Sequence, residues 1–407
     1  MPASTPARRT ARSTVVRALL VAFVVLVFLA CGLTTLVAIS TETGLTGLVA
    51  GFVLALVPVS VVVPALLWLD RFEAEPTSLV LFAFAWGAVV ATAIALVLNT
   101  YSLVLLRDSG GDVQASSVLV APFVEEACKG AAVVLVVLWR RRDFDGVVDG
   151  IVYAGLAGIG FAFTENVLYL GRALAESGTQ GLAVTFVLRA VLGPFAHPLF
   201  TMATGVGIGL AVRSRHRVTR VVAPVVGYLV AVTLHGLWNL SAVAGLRGFL
   251  SLYVLVQVPI FLAAVSFALW ARRREVRLVA DHLGVYAASG WFVPAEVEML
   301  GSTAGRRQAR SWARRTGGPV AARAMRGFQD VSTDLAFHRD RLVRGTVQDE
   351  GRAVEREPAA PGGRAPVRFR RALRPLAARG GRQEPRRAKS LAHTQLVRYL
   401  PHEPLRR

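Results

Sequence analysis

The chain has 407 residues, of which 54% are hydrophobic and only 18% charged, and its mean hydropathy is +0.51. A soluble domain carries about 25% charged residues, so this composition excludes an ordinary soluble enzyme. The formal charge is +20, and residues 272–407 alone hold 29 Lys and Arg against 13 Asp and Glu. The first 271 residues are close to neutral and so apolar that only a membrane satisfies them. Two cysteines, Cys31 and Cys128, exclude a disulfide framework and a thiolate metal cluster.

Eight apolar runs, at 15–39, 46–69, 78–106, 116–139, 147–171, 182–212, 221–243 and 249–271, each reach the ~20 residues of a spanning helix. They predict an all-α, polytopic membrane helix bundle. The first run follows Arg8, Arg9, Arg12 and Arg17 but is too long for a signal-peptide core, so it reads as a retained helix. Arg-rich segments at the N-terminus, at Arg140 to Arg142, at Arg213 to Arg220 and at Arg272 to Arg274 alternate with loops holding one Arg each. The positive-inside rule then puts both termini in the cytoplasm. The loop at 70–77 mixes Arg71 with Asp70, Glu73 and Glu75, and acidic residues count little in that rule.

The chain accordingly divides into a basic cytoplasmic N-terminus (1–14), a transmembrane domain (15–271), a cytoplasmic helical region (272–345) and a mostly disordered basic tail (346–407) rich in Arg, Pro and Gly. The tail carries no nucleic-acid motif; its charge suits anionic lipid headgroups beside the last span.

Ionisable side chains at bilayer depth are costly, so each is a functional candidate. The fourth run contains Glu125, Glu126 and Lys129. Helical spacing sets Lys129 beside both carboxylates, at i,i+4 and i,i+3. One Glu is then held ionised, and the other is free to accept and return a proton. The alternative is an ion pair that only pins helices together. The fifth run has a small-residue face at Gly155, Gly158 and Gly160 and ends in Glu165-Asn166. Gly193-Pro194 and Pro198 predict a kink in the sixth run, beside His197. His235 and Asn239 share a face of the seventh. Three carboxylates, two imidazoles, an ammonium and two amides that can meet in one wet cavity form a hydrolytic inventory.

The ordered set Glu125-Glu126-x-x-Lys129, Phe161-x-x-x-Glu165-Asn166, His197 and His235-x-x-Trp238-Asn239 resembles the PrsW family of bacterial intramembrane proteases over roughly residues 50–272. That family is grouped with the CAAX prenyl proteases and bacteriocin-processing relatives, whose motif is Glu-Glu-x-x-x-Arg. Here Lys129 comes one position earlier and Gly130 holds the Arg position, and Glu165 stands where their second motif has His. The CAAX substrate preference therefore does not carry over. The resemblance implies a bacterial cell-membrane enzyme. It would perform site-1-type cleavage of a membrane-anchored protein such as an anti-sigma factor. Glu125 and Glu126 match the family's acidic pair, and His197 and His235 its histidines.

The family's metalloprotease label makes His197 and His235 metal ligands and zinc the candidate ion, although the chain has no His-Glu-x-x-His helix. A metal-free route uses the same groups. A glutamate takes the water's proton, and His235 with Asn239 stabilises the oxyanion. Lys129 and Asn166 support either version. The competing class is a proton- or ion-coupled transporter relaying through the same Glu/His set. The sequence shows no internal repeat of the kind transporters often carry.

Overall fold

In the computed structural model the described residues are 7–72, 75–140 and 144–345. Among them every regular element is helical. The expected basic tail at 346–407, the first six residues, Glu73 in the acidic loop, and Arg141 and Arg142 lie outside the described residues.

Among the described residues five stretches are long and apolar enough to cross a membrane: Ala18–Leu69, Thr77–Asp108, Val147–Arg213, Arg217–Val243 and Gly245–Ala288. Two of them are bent into two spans each. Helix α1 (Ala7–Leu69) turns at Gly44, with φ +66°. Helix α6 (Val147–Phe186) turns at Gly178, with φ +63°. Both angles lie in the left-handed region that glycine enters without penalty. Seven spans result. The second stretch is α2 (Thr77–Ala85), a π-helical turn at Trp86–Ala91 and α3 (Thr92–Asp108). The eighth span is the charged one, formed by α4 (Val113–Ala115), a π-helical turn at Ser116–Val120 and α5 (Ala121–Arg140).

The expectation of one kinked helix over 182–212 needs correcting. Helix α6 runs past 171 to the Gly178 bend, continues to Phe186 and passes into a π-helical turn, Val187–Leu192. The chain then breaks at Gly193-Pro194-Phe195 before α7 (Ala196–Arg213). Pro194 lacks the N–H a helix interior needs and so sits in the break. Pro198 falls in the first turn of α7, where the missing donor costs nothing.

Helix α6 is central. Every residue from Val148 to Ala162 is buried, as expected of a helix apolar all round. It packs against α1, α2, α5 and the π-helical turn at Trp86–Ala91. One small residue on it positions the chemistry directly. A Cβ on Gly158 would lie 2.8 Å from the His197 carbonyl oxygen and from the Pro198 nitrogen. Glycine therefore lets the start of α7 close onto α6. Gly158→Ala is expected to displace His197 by a few tenths of an ångström and to lower turnover about tenfold. Turnover measured per mole of folded protein in detergent checks this.

The remaining helices are α8 (Arg217–Val243), α9 (Gly245–Leu252), a π-helical turn at Tyr253–Gln257, α10 (Val258–Ala288), α11 (Pro294–Leu300) and α12 (Thr303–Arg344). The described residues fall into two compact units, one of residues 7–70, 75–140, 144–212 and 217–268 and the other of 71–72, 213–216 and 269–345. In the second unit, the end of α10 with α11 and α12 encloses a core that includes Leu283, Tyr286, Phe292, Met325, Phe328 and Phe337. Helix α10 runs unbroken through Arg272 to Arg274.

The acidic residues of the 70–77 loop have a packing role that hydropathy does not show. Asp70 and Asp149 are buried and Glu75 is partly buried, and oxygens of the three converge. Tyr153 donates to Glu75 Oε2 at 2.7 Å, and the Glu75 N–H donates to Asp70 Oδ2 at 2.8 Å. Burial raises Asp70 to about 8, opposed by that N–H and assisted by the Asp149 charge. Burial and the charges of Asp149 and Asp70 raise Glu75 to about 10. Both side chains are therefore neutral acids near pH 7, which suits two carboxyls packed together out of water.

Candidate active site

Helix α5 buries one face, Pro122, Glu125, Glu126, Lys129, Gly130, Val133 and Val136 among it. This i, i+3, i+4 pattern turns all three charges inward. Lys129 Nζ lies 2.9 Å from Glu126 Oε1 and 3.3 Å from Glu125 Oε2, and it is fully buried. It sits over the Phe161 ring at 3.9 Å from the centroid, so the phenylalanine of the second motif is a cation–π floor for the ammonium. On the same helix, a Cβ at Gly130 would lie 3.1 Å from Thr204 Cγ2. The position that holds Arg in the CAAX branch is here pressed against α7.

Three other helical segments bring their groups to this face. From α8, His235 Nδ1 lies 2.9 Å from Glu126 Oε1, and its Nε2 lies 3.6 Å from Glu125 Oε2. From α7, His197 Nδ1 lies 3.1 Å from Lys129 Nζ, and Thr201 donates to Glu126 Oε2 at 2.8 Å. From α6, Glu165 Oε2 lies 2.8 Å from His197 Nε2. The two imidazoles stand at 87° with centroids 5.0 Å apart. Of the eight residues singled out in the sequence, Glu125, Glu126, Lys129, Glu165, His197 and His235 thus share one contact network.

Asn166 is tied to this network through Arg189. Asn239 is placed differently. Its Nδ2 donates to the Ser117 carbonyl at 2.8 Å, which spends that donor on the chain's own backbone, a helical turn from His235.

Three participants were not singled out in the sequence. Arg189, in the π-helical turn at Val187–Leu192, reaches Glu165 Oε2 with Nη2 at 2.5 Å and donates from Nε to Asn166 Oδ1 at 2.7 Å. Its guanidinium lies over Tyr169 at 4.3 Å. Asn99 on α3 donates to Glu125 Oε1 at 3.1 Å, and Thr201 holds Glu126 as above. Arg189 had a legible signal, since it is a charge inside an apolar run, the same criterion that picked out Glu165. Asn99 and Thr201 had none, because single amides and hydroxyls are common in spans.

Arg189 works as a fork between two side chains, so Arg189→Lys keeps the charge and loses one arm. Turnover is expected to fall at least tenfold in Arg189→Lys and further in Arg189→Ala, with KM changed less than kcat. An unchanged kcat in both would show that Glu165 needs no clamp.

The donor chemistry of the centre can be tested against a divalent ion. Ligand atoms of Glu125, His197 and His235 all lie within 4.8 Å of one another. Each imidazole also has one nitrogen on a carboxylate, His235 Nδ1 on Glu126 and His197 Nε2 on Glu165. This is the outer support that fixes the tautomer of a metal-binding histidine. It presents His235 Nε2, whereas His197 Nδ1 lies 3.1 Å from Lys129 Nζ, so an ion held there would displace that ammonium contact. Two imidazoles and one carboxylate fit a catalytic ion with an open position.

A family model described as PrsW family intramembrane metalloprotease matches residues 75–264. Relatives named Protease PrsW include one from Oceanobacillus iheyensis, 32% identical over 142 residues, which are 35% of this chain and 59% of the relative. One from Clostridioides difficile is 27% identical over 191 residues, 46% of this chain and 77% of the relative. One from Geobacillus kaustophilus is 32% identical over 142 residues, 35% of this chain and 58% of the relative. The chain thus spans about six tenths of the Oceanobacillus and Geobacillus proteins. No solved structure matches it. All of the clustered residues, from Asn99 to His235, lie inside the matched segment. Residues 75–264 are thus similar to the PrsW family of intramembrane metalloproteases.

Proposed function

We propose that the chain is an intramembrane endopeptidase that hydrolyses a peptide bond of a membrane-anchored protein. Carried from the resemblance, the substrate class is a membrane-bound regulator of the anti-sigma-factor kind; by the positive-inside rule both termini face the cytoplasm. The observation that carries the reading is the convergence of three carboxylates, two imidazoles and one ammonium from α5, α6, α7 and α8 on one buried centre. A transporter would also need ionisable groups at depth, but the family match favours the enzyme.

The acidic pair divides its work. Glu126 is fully committed, with Lys129 and His235 at Oε1 and Thr201 at Oε2. It orients His235 and compensates Lys129. Glu125 is fixed by Asn99 through Oε1, whereas its Oε2 has long contacts of 3.3 and 3.6 Å. That oxygen faces the His235 imidazole. It takes the proton of the attacking water and returns it to the leaving amine. His197 and His235 would hold a divalent ion, with Glu125 in donor range; when bound, it supplies Lewis acidity to the peptide carbonyl. Glu165, clamped by Arg189, holds the His197 ring through Nε2.

Purified His197→Ala and His235→Ala are expected to lose both bound divalent metal, measured by elemental analysis, and turnover, each having lost one of the two imidazole ligands. Chelator should reduce the wild type to the same level. Turnover unaffected by chelator would leave the metal-free glutamate route, and two fully active His variants would overturn the site.

A further inference from the structure

Beside the centre lies a second feature that the proposed chemistry does not use. A cavity of about 250 Å³ opens between the π-helical turn at Val187–Leu192, the break at 193–195, α8 and the π-helical turn at Tyr253–Gln257. Its walls include Leu192, Phe200, Leu234, Trp238, Val256 and Gln257. One wall is shared with the centre. The Phe200 ring stacks on the His235 imidazole at 5.3 Å and meets the His197 ring at 5.9 Å. Leu234 immediately precedes His235 in the chain. An occupant of this cavity is therefore one ring away from both histidines.

The wall is mostly apolar; the Tyr253 hydroxyl donates to the Leu192 carbonyl at 2.9 Å, and the remaining amide is that of Gln257. Gln257 Nε2 donates to Ser241 Oγ at 3.1 Å. Ser241 spends its own hydrogen on the Trp238 carbonyl at 2.6 Å. Ser241 can only accept from Gln257, and this fixes which end of the amide faces it. The other end, Gln257 Oε1, is buried without a donor among the described residues. A buried acceptor left unmet costs about 1–3 kcal/mol. A lipid acyl chain would fill the apolar volume but brings no donor. An extended peptide brings both, a side chain for the volume and an N–H for the carbonyl.

We propose that this cavity is the subsite for a large apolar side chain of the substrate next to the scissile bond, with Gln257 Oε1 accepting a substrate backbone N–H. The inference rests on the peptidase reading and adds to it the determinant of specificity. An enlarged side chain at Val256, in the wall formed by the π-helical turn at Tyr253–Gln257, would fill the cavity, and Gln257→Leu would remove the acceptor.

The test uses the full chain in detergent and a panel of single-span peptides in which Leu and Ala are exchanged along the span. Leu at one position beside the cleaved bond is expected to raise kcat/KM at least tenfold over Ala. Val256→Phe should cancel or reverse that preference while still cleaving the Ala peptide. Gln257→Leu should raise KM several-fold for every peptide. A second measurement does not need turnover. A single-span peptide carrying photoreactive leucine at that position, or scanned along the span if none is cleaved, is cross-linked to the Glu125→Gln protein. It should label Leu192, Leu234 or Trp238, and Val256→Phe should abolish the label. Cleavage that depends on Glu125 but is indifferent to side-chain size and to Val256→Phe would overturn the subsite and spare the peptidase reading. Labelling of the cavity with no cleavage of any peptide would do the reverse. A co-purifying phospholipid displaced by Val256→Phe, with no peptide label in the cavity, would assign it to lipid and overturn the proposal.

Discussion

Glu125→Gln is expected to lower peptide hydrolysis by about 10²–10⁴-fold, the usual contribution of a positioned general base. Gln keeps the size of Glu, so it can stay close to Asn99 and to the packing of α5, and it cannot accept the water's proton. Glu125 is 6% exposed, and its Oε2 contacts Lys129 and His235 only at 3.3 and 3.6 Å. The variant therefore disturbs few short contacts, and the protein should accumulate normally. Glu126→Gln should also lose most turnover, by a different route. The side chain is fully buried and holds His235, Lys129 and Thr201 together, so part of its loss should appear as lower thermal stability. Turnover and unfolding temperature measured on both variants separate the roles. Full activity in Glu125→Gln would remove the proposed base; loss of protein in both, without a catalytic defect in what remains, would return the acidic pair to a purely structural ion cluster.

Lys129→Met is expected to be the most destabilising single change in the membrane region. Its ammonium is fully buried between two carboxylates. Removing one partner of such a cluster leaves uncompensated charge out of water, at a cost of about 3–5 kcal/mol. Much of a domain's stability of roughly 5–15 kcal/mol would be lost, and little folded protein should be recovered from membranes. The triple variant E125Q/E126Q/K129M removes every member of the cluster on α5. It should recover much of the stability, because buried charge replaced by neutral groups of similar shape is often neutral or favourable, and it should remain inactive. A stable, active Lys129→Met protein would mean that the carboxylates do not need the ammonium.

Much of the fold follows from single-chain chemistry. Long apolar runs must span, so hydropathy places eight helices, and the charges on α5 stand out because they are costly at depth. The grouping of Glu125, Glu126 and Lys129 is also local. Spacings of three and four residues put them on one helical face whatever surrounds it, and the structure has Lys129 within 3.3 Å of both. The break before α7 follows from Pro194, although its form, a π-helical turn and then a gap at 193–195, does not. Partners that come from other helices were decided by packing alone. Nothing in the spacing says that Thr201 reaches Glu126, that Asn99 fixes Glu125, or that Arg189 bridges Glu165 and Asn166. Each depends on how far a helix is rotated and how closely glycines such as Gly158 let it approach. Asn239 shows the limit of the local rule. It follows His235 by four residues, which on an ideal helix is a rotation of about 40° and a rise of about 6 Å. That offset carries its amide away from Glu126 to the Ser117 carbonyl. Helical periodicity fixed which residues share a face; only the contact between helices decided which of them share a site.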